Sequence, residues 1–183
     1  MCYNFIGKGK ENGCNWWNEE LLVNRGGILN SREKKLRVLL KVGQVLNENS
    51  ITWAVGASLL LYFKKVTNEF NDIDIMIDEK DVEKVKEILL SFGELQPKNF
   101  SLKYKTKHFL EFKVEGVDID IMAGFTIVSN QREYYFPLEK NEIEEYFILN
   151  GISIPLQSVY KWRTYYELMG REEKVKLINS KIK

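Results

Sequence analysis

Asp72-Ile73-Asp74-Ile75-Met76-Ile77 alternates acidic and apolar side chains, and this alternation is the strongest structural signal in the chain. Side chains two positions apart in a β-strand point to the same face, so Asp72 and Asp74 share one face of a predicted strand. The isoleucines mark its other face as core. Because an unpaired buried carboxylate is costly, we expect a positive charge on the acidic face, most simply a divalent cation.

A second block with the same texture, Val117-Asp118-Ile119-Asp120-Ile121-Met122, follows downstream. Asp118 and Asp120 share one face of this second predicted strand, and either is a candidate for a third carboxylate. We prefer Asp120, because an Ile-Met pair follows it just as an Ile-Met pair follows Asp74. Asp118 remains the alternative third carboxylate. Its other interpretation is an ordinary acidic residue of the hairpin near Gly116, with no role in the site.

Gly56-Ala57-Ser58 lies between a short apolar run and a helical pattern, so it predicts a turn from a strand into a helix. The start of a helix has free backbone N–H groups, which suit a phosphate, and the Ser58 hydroxyl adds a donor. Together with the acidic strands, this turn predicts a site for metal ions and phosphate groups.

Composition bounds the class of protein. A length of 183 residues with 44% hydrophobic content predicts one globular domain with at most a small helical appendage. Lys and Arg (27) nearly balance Asp and Glu (26), so no global field attracts nucleic acid or a membrane. Cys2 and Cys14 are too far apart for a paired-cysteine zinc motif. The absence of a long apolar run and of a signal-peptide pattern predicts a soluble cytoplasmic protein.

The order of elements predicts an α+β fold in which helices flank a mixed sheet. Helices are expected near 32–48, at 57–65, from Asp78 or Asp81 to Gly93, and in two segments after Gln157. Strands are expected at 51–55, 72–77, 102–107, 108–114, 117–122, 125–129, 132–136, 144–149 and 152–154. The predicted organisation is an N-terminal extension (1–31), a catalytic domain (32–155) and a helical tail packed on it (156–183).

Gly56-Ala57-Ser58, Asp72-x-Asp74 and Asp120 together resemble the minimal signature of the polymerase-β-like nucleotidyltransferases. The sequence around the turn and the acidic pair is similar to small members, such as lincosamide-type antibiotic nucleotidyltransferases and abortive-infection toxins. The tail from Pro155 to Lys174 also looks like the helices that follow the catalytic domain in such enzymes. One departure is Ala57, where family members usually have a second glycine.

The resemblance implies an enzyme that moves a nucleoside monophosphate from a nucleoside triphosphate to an acceptor hydroxyl and releases pyrophosphate. Asp72, Asp74 and Asp120 would be catalytic and would hold magnesium, two ions in all. Gly56, Ala57 and Ser58 would contact the nucleotide, and Lys161 is chosen from a basic group in the tail for the same role. The other members of that group are Arg163, Arg171 and Lys174, for which a solvated helix face is the alternative.

Several features stay open at this stage. The acceptor is a small molecule such as an antibiotic, a tRNA end or a protein side chain, and the sequence predicts neither the preferred base, for which ATP is one candidate, nor the oligomeric state. The alternative function is an inactive binding or regulatory module, as in one half of a toxin-antitoxin pair. Ala57 and the short tail motivate that alternative.

Overall fold

The computed structural model describes residues 30–97, 105–143 and 145–182. Its five α-helices are α1 (Ser31–Glu48), α2 (Ala57–Phe63), α3 (Val82–Leu90), α4 (Val159–Leu168) and α5 (Glu172–Lys181). Its nine strands are β1 (Trp53–Val55), β2 (Ile73–Ile77), β3 (Glu94–Leu95), β4 (His108–Val114), β5 (Val117–Ala123), β6 (Phe125–Ser129), β7 (Arg132–Phe136), β8 (Glu145–Leu149) and β9 (Ile152–Leu156). Short 3₁₀ turns occupy Glu79–Asp81 and Lys140–Glu142.

Seven strands form one mixed sheet in the order β3-β4-β5-β2-β1-β9-β8, and β6 pairs with β7 in a separate hairpin. Strand β2 lies at the centre, parallel to β5 on one side and antiparallel to β1 on the other. The predicted mixed sheet with flanking helices is therefore confirmed. Both predicted tight turns are present too, at Glu115-Gly116 between β4 and β5 and at Asn150-Gly151 between β8 and β9.

Helix α1 covers the isoleucine face of the central strands. The Trp53 side chain, opposite Ile77 across the β1–β2 pair, donates its indole N–H to the Asn47 side chain of α1 at 2.9 Å. Ile73, Ile75 and Ile77 are fully buried. Since side chains alternate along a strand, this packing leaves the acidic positions of β2 on the opposite face.

Helix α1 begins with a capping box in which Asn30 and Glu33 satisfy each other's backbone N–H groups at 3.0 Å. The helix therefore starts within one residue of its predicted position. Asp78, one of the two candidate caps for the helix, caps the preceding 3₁₀ turn and not α3 itself. The other candidate, Asp81, instead accepts a hydrogen bond from the Thr52 backbone at 2.9 Å and ties the turn to β1.

Two strand predictions need correction. Strand β9 continues through Pro155 to Leu156 instead of stopping at the proline. It pairs with β1 at the Val55–Leu156 position only, so the missing N–H of Pro155 interrupts no ladder there. Of the strand predicted at 102–107, residues 102–104 lie outside the described residues, and 105–107 are not in a strand.

The helical tail packs on the sheet domain, although the division into domains at residue 155 stays a prediction. Helix α4 carries buried Trp162, Tyr165 and Tyr166. The Trp162 and Tyr165 rings contact Phe125 of β6, with centroid distances of 6.0 and 5.4 Å. Of the helices in the described ranges, none combines the length and apolar character that a membrane span requires.

Candidate active site

Three carboxylates meet on the acidic face of the central strands. Asp74 of β2 lies directly beside Asp120 of β5 in the parallel ladder, and Asp72 immediately precedes β2. One ligand oxygen from each of the three residues lies within 4.8 Å of the other two. All three side chains are half-buried. This is the arrangement expected from the two Asp-Ile-Asp blocks, and its oxygen donors suit a hard divalent cation.

The same three groups repel one another strongly. Burial raises the pKa of Asp74 well above its ordinary value, and the charges of Asp72 and Asp120 raise it further, while the Arg171 guanidinium opposes the rise. Burial likewise raises the pKa of Asp120 from 3.8 to about 7, helped by the charge of Asp72. The protein without bound cations therefore holds protons here that a cation would displace.

This repulsion makes the stability of the metal-free protein depend on pH. Between pH 4 and 7 the unfolded chain loses the Asp120 proton while the folded chain keeps it, so stability falls as pH rises through this window. At pH 8 we expect the free energy of unfolding of Asp120→Asn to exceed that of the wild type by roughly 1–2 kcal/mol, after allowance for solvent screening. At pH 4 the difference should be much smaller. Urea denaturation in EDTA measures this. A variant that is less stable than wild type at pH 8 contradicts the assigned repulsion.

The turn at Gly56-Ala57-Ser58 is fixed to the start of β2. The Gly56 N–H donates to the Asp74 carbonyl at 3.0 Å, and the Asn71 N–H donates to the Ser58 hydroxyl oxygen at 3.4 Å. The turn and the acidic pair are therefore held next to each other by hydrogen bonds. This proximity is what a site for both metal ions and phosphates requires.

Helix α4 packs against this turn. A Cβ atom placed on Gly56 would lie 2.4 Å from the Trp162 ring, so only glycine leaves room for the indole. The Trp162 indole N–H donates to the Gln157 side chain at 2.6 Å, and the Gln157 backbone N–H donates to the Val55 carbonyl at 3.0 Å. The tail therefore contacts the backbone of the turn through the buried side chain of Trp162.

Ala57 adopts a backbone angle φ of 45°, in the left-handed region that favours glycine. The turn therefore adopts a glycine-like conformation although Ala57 carries a Cβ atom. The strain costs about 1 kcal/mol for a residue with a Cβ atom.

Ala57→Gly is expected to raise the free energy of unfolding by about 0.5 kcal/mol, since relief of the strain outweighs the added freedom of the unfolded chain. Ala54→Gly is the matched control, because Ala54 lies fully buried in extended strand β1. That control should lose about 1 kcal/mol or more. Thermal or urea denaturation compares the two, and equal losses would rule out strain at Ala57.

The other predicted site residues lie in different surroundings. Asp118 forms an ion pair with Lys113 at 3.4 Å, its side chain is 69% exposed, and it is not part of the three-carboxylate group. Lys161 forms an ion pair with Glu142 in the described structure, so its contact with a nucleotide stays a prediction. Arg171 belongs to the same basic group of the tail, and its positive charge lowers the pKa of Asp74.

Glu111 of β4 is a site neighbour that the sequence reasoning missed. It lies directly across from Asp120 in the β4–β5 hairpin, and its charge adds to the rise of the Asp120 pKa, after burial and Asp72. The signal was present in the sequence. Counting outward from the two-residue turn at Glu115-Gly116 pairs position 114 with 117 and therefore 111 with 120.

A mixed sheet that brings a D-x-D strand and a third acidic strand beside a glycine turn defines a nucleotidyltransferase. The comparisons with known proteins agree with this class. The sequence model of the aminoglycoside-2''-adenylyltransferase family matches residues 38–179, and the chain belongs to that family. Among curated proteins, none matches the sequence significantly.

Solved structures extend the likeness to the fold. A protein of Thermotoga maritima assigned to the nucleotidyltransferases is 26% identical, with a TM-score of 0.66 over 81% of this chain and 92% of that one. Lincosamide antibiotic adenylyltransferase LnuA with bound lincomycin is 16% identical, with a TM-score of 0.54 over 81% and 96%. ANT(2'')-Ia with adenylyl-2''-tobramycin is 12% identical, with a TM-score of 0.53 over 80% and 89%. The last two likenesses concern the fold alone.

Proposed function

We propose that this nucleotidyltransferase moves the adenylyl group of ATP to a hydroxyl of a small antibiotic-like acceptor and releases pyrophosphate. The observation that carries the proposal is the convergence of Asp72, Asp74 and Asp120 beside the Gly56–Ser58 turn, in a member of an adenylyltransferase family. The family name supports both the adenylyl donor and the acceptor class. A tRNA acceptor has less support, because a net charge of +1 gives no general attraction for a polyanion.

The three carboxylates fit magnesium by their chemistry. They supply hard oxygen donors, they converge within 4.8 Å, and their mutual repulsion disfavours the ionised site without a cation. We assign Asp72, Asp74 and Asp120 as the ligands of two magnesium ions. When bound, these ions neutralise the charge of the triphosphate.

The remaining chemistry is assigned to residues of the chain. The acceptor hydroxyl oxygen bonds to the α-phosphorus of ATP, the bond from that phosphorus to the bridging oxygen of the β-phosphate breaks, and pyrophosphate leaves. Asp120 takes the hydroxyl proton, a role that suits a carboxylate placed beside the other two acidic groups of the site. The Gly56–Ser58 turn and Arg171 hold the phosphates, since Arg171 brings positive charge to the edge of the acidic group.

Two forms of labelled ATP test the reaction. With Mg²⁺ and an aminoglycoside or lincosamide acceptor, we expect label from the α-phosphate on the acceptor and label from the γ-phosphate in pyrophosphate. Label from the γ-phosphate on the acceptor would mean phosphoryl transfer and would refute the proposal. Nucleotide binding without transfer to either acceptor class, or to tRNA, would favour the inactive binding module instead.

A further inference from the structure

Gln157 lies in line with Asp74, on the other side of the Gly56 turn. Val55, the last residue of β1, is opposite the residue after Asp74 in β2 and opposite the residue before Gln157 in β9. Two backbone hydrogen bonds of 3.0 Å continue this pairing by one step, from the Gly56 N–H to the Asp74 carbonyl and from the Gln157 N–H to the Val55 carbonyl. Asp74, Gly56 and Gln157 therefore occupy one level of the sheet. At about 4.8 Å per strand, Gln157 lies roughly 10 Å from Asp74.

The Gln157 side chain lies on the acidic face of the sheet. Residues at one level of neighbouring strands direct their side chains to the same face. Trp162 agrees with this placement, because its ring would meet a Cβ atom on Gly56 and its indole N–H donates to the Gln157 side chain at 2.6 Å. Gln157 therefore borders the turn on the side away from the three carboxylates.

The side-chain nitrogen of Gln157 is a buried donor that lacks a protein acceptor. An indole N–H can only donate, so the carboxamide oxygen faces Trp162 and the nitrogen faces elsewhere. In the part of the chain that the structure describes, no group accepts a hydrogen bond from this nitrogen. The residue is only 4% exposed. Because buried polar groups are nearly always hydrogen-bonded, a ligand or a water molecule supplies the acceptor.

We infer that Gln157 is a nucleotide-binding residue whose side-chain N–H groups donate to a phosphate oxygen of the nucleoside triphosphate. This inference rests on the proposed function and adds a neutral donor to its phosphate site. Phosphate oxygens are charged acceptors, and hydrogen bonds to them are stronger than those between neutral groups. Trp162 holds the carboxamide in the orientation that leaves its nitrogen available, so the tail takes part in nucleotide binding.

Two substitutions of Gln157 separate donation to the nucleotide from support of Trp162. Gln157→Glu keeps an oxygen for the indole N–H but replaces the donor with a negative charge, whereas Gln157→Met removes both. A non-hydrolysable ATP analogue is titrated calorimetrically into each variant with Mg²⁺. We expect Gln157→Met to weaken binding about 10-fold and Gln157→Glu about 100-fold, because a carboxylate repels the phosphates.

Gln44→Glu is the matched control for the added charge. Gln44 lies exposed on α1, which covers the opposite face of the sheet, and its side chain bonds only to Glu48 at 2.8 Å within the described residues. This variant should bind the analogue like the wild type. An equal loss in Gln44→Glu and Gln157→Glu would mean that the charge acts from a distance, and the inference would fail.

The order of the two Gln157 variants decides the outcome. Wild-type affinity in Gln157→Glu together with weaker binding by Gln157→Met would mean that Gln157 only supports Trp162. Wild-type affinity in both would mean that the nitrogen binds water only. If Gln157→Glu lacks cooperative urea unfolding, Gln157→Met is compared with Trp162→Phe, which removes the indole N–H and leaves the donor in place. We expect the larger loss in Gln157→Met, and equal affinities would overturn the inference.

The same titrations separate this inference from the proposed function. If the wild type binds the analogue in a metal-dependent way and transfers label from the α-phosphate, but the Gln157 variants bind like the wild type, only the role of Gln157 fails. If the wild type does not bind the analogue with Mg²⁺, the proposed function itself fails.

Discussion

Asp74→Asn is expected to lower the rate of adenylyl transfer by on the order of 10³-fold or more, because it removes a central charge from the proposed magnesium site. An asparagine side chain has nearly the same shape as an aspartate, so the fold should persist. The metal-free variant should be at least as stable as the wild type, since the pKa of Asp74 is raised by burial and by two neighbouring carboxylates. Release of pyrophosphate at saturating ATP and acceptor measures the loss.

Asp118→Asn is the matched control for this prediction. It also replaces an aspartate on the acidic face of a central strand, but Asp118 is largely exposed and pairs with Lys113. We expect its activity to stay within a few-fold of the wild type, as for most surface substitutions. A loss of activity as large as that of Asp74→Asn would mean that Asp118, and not Asp120, is the third carboxylate of the site.

Gly56→Ala should reduce both stability and activity. The added Cβ atom would lie 2.4 Å from one carbon of the Trp162 ring and 2.8 Å from another, so the turn or helix α4 must move. Overpacking of this kind costs about 1–3 kcal/mol. Because Gly56 is hydrogen-bonded to Asp74, the movement also shifts the turn against the carboxylates, and a displacement of about 1 Å can cost on the order of 10² in rate.

Two companion variants separate crowding from general instability. Gly151→Ala adds a Cβ atom with nothing within 4 Å, at a φ of 77°, so it should cost stability without loss of activity. Gly56→Ala combined with Trp162→Leu should recover part of the activity lost by Gly56→Ala alone, because the smaller side chain leaves room at the turn. Additive losses in the double variant would mean that the tryptophan does not hold the turn.

The sheet and the acidic group were predictable because their signals are local. Alternation in the two Asp-Ile-Asp blocks gives the facing of the side chains, and the turn at Glu115-Gly116 gives the register of β4 against β5. The preference for Asp120 followed from its depth in the strand, and the structure places it beside Asp74. Such features depend on residues that are close in sequence or on a simple count.

The remaining features depend on contacts between distant segments. No local pattern tells that Trp162 packs on Gly56, or that Asp81 bonds to Thr52 instead of capping α3. The left-handed conformation of Ala57 likewise follows from the fold around it, since alanine by itself favours other angles. These contacts determine how firmly the turn is held beside the carboxylates.

The most direct test of the account is whether nucleotide binding requires a metal ion at Asp72, Asp74 and Asp120. A non-hydrolysable ATP analogue is titrated into the wild type and Asp74→Asn, each with Mg²⁺ and with EDTA. We expect tight binding only for the wild type with Mg²⁺. Equal affinity in EDTA, or equal affinity of Asp74→Asn with Mg²⁺, would contradict the assignment of these carboxylates as the metal site of a nucleotidyltransferase.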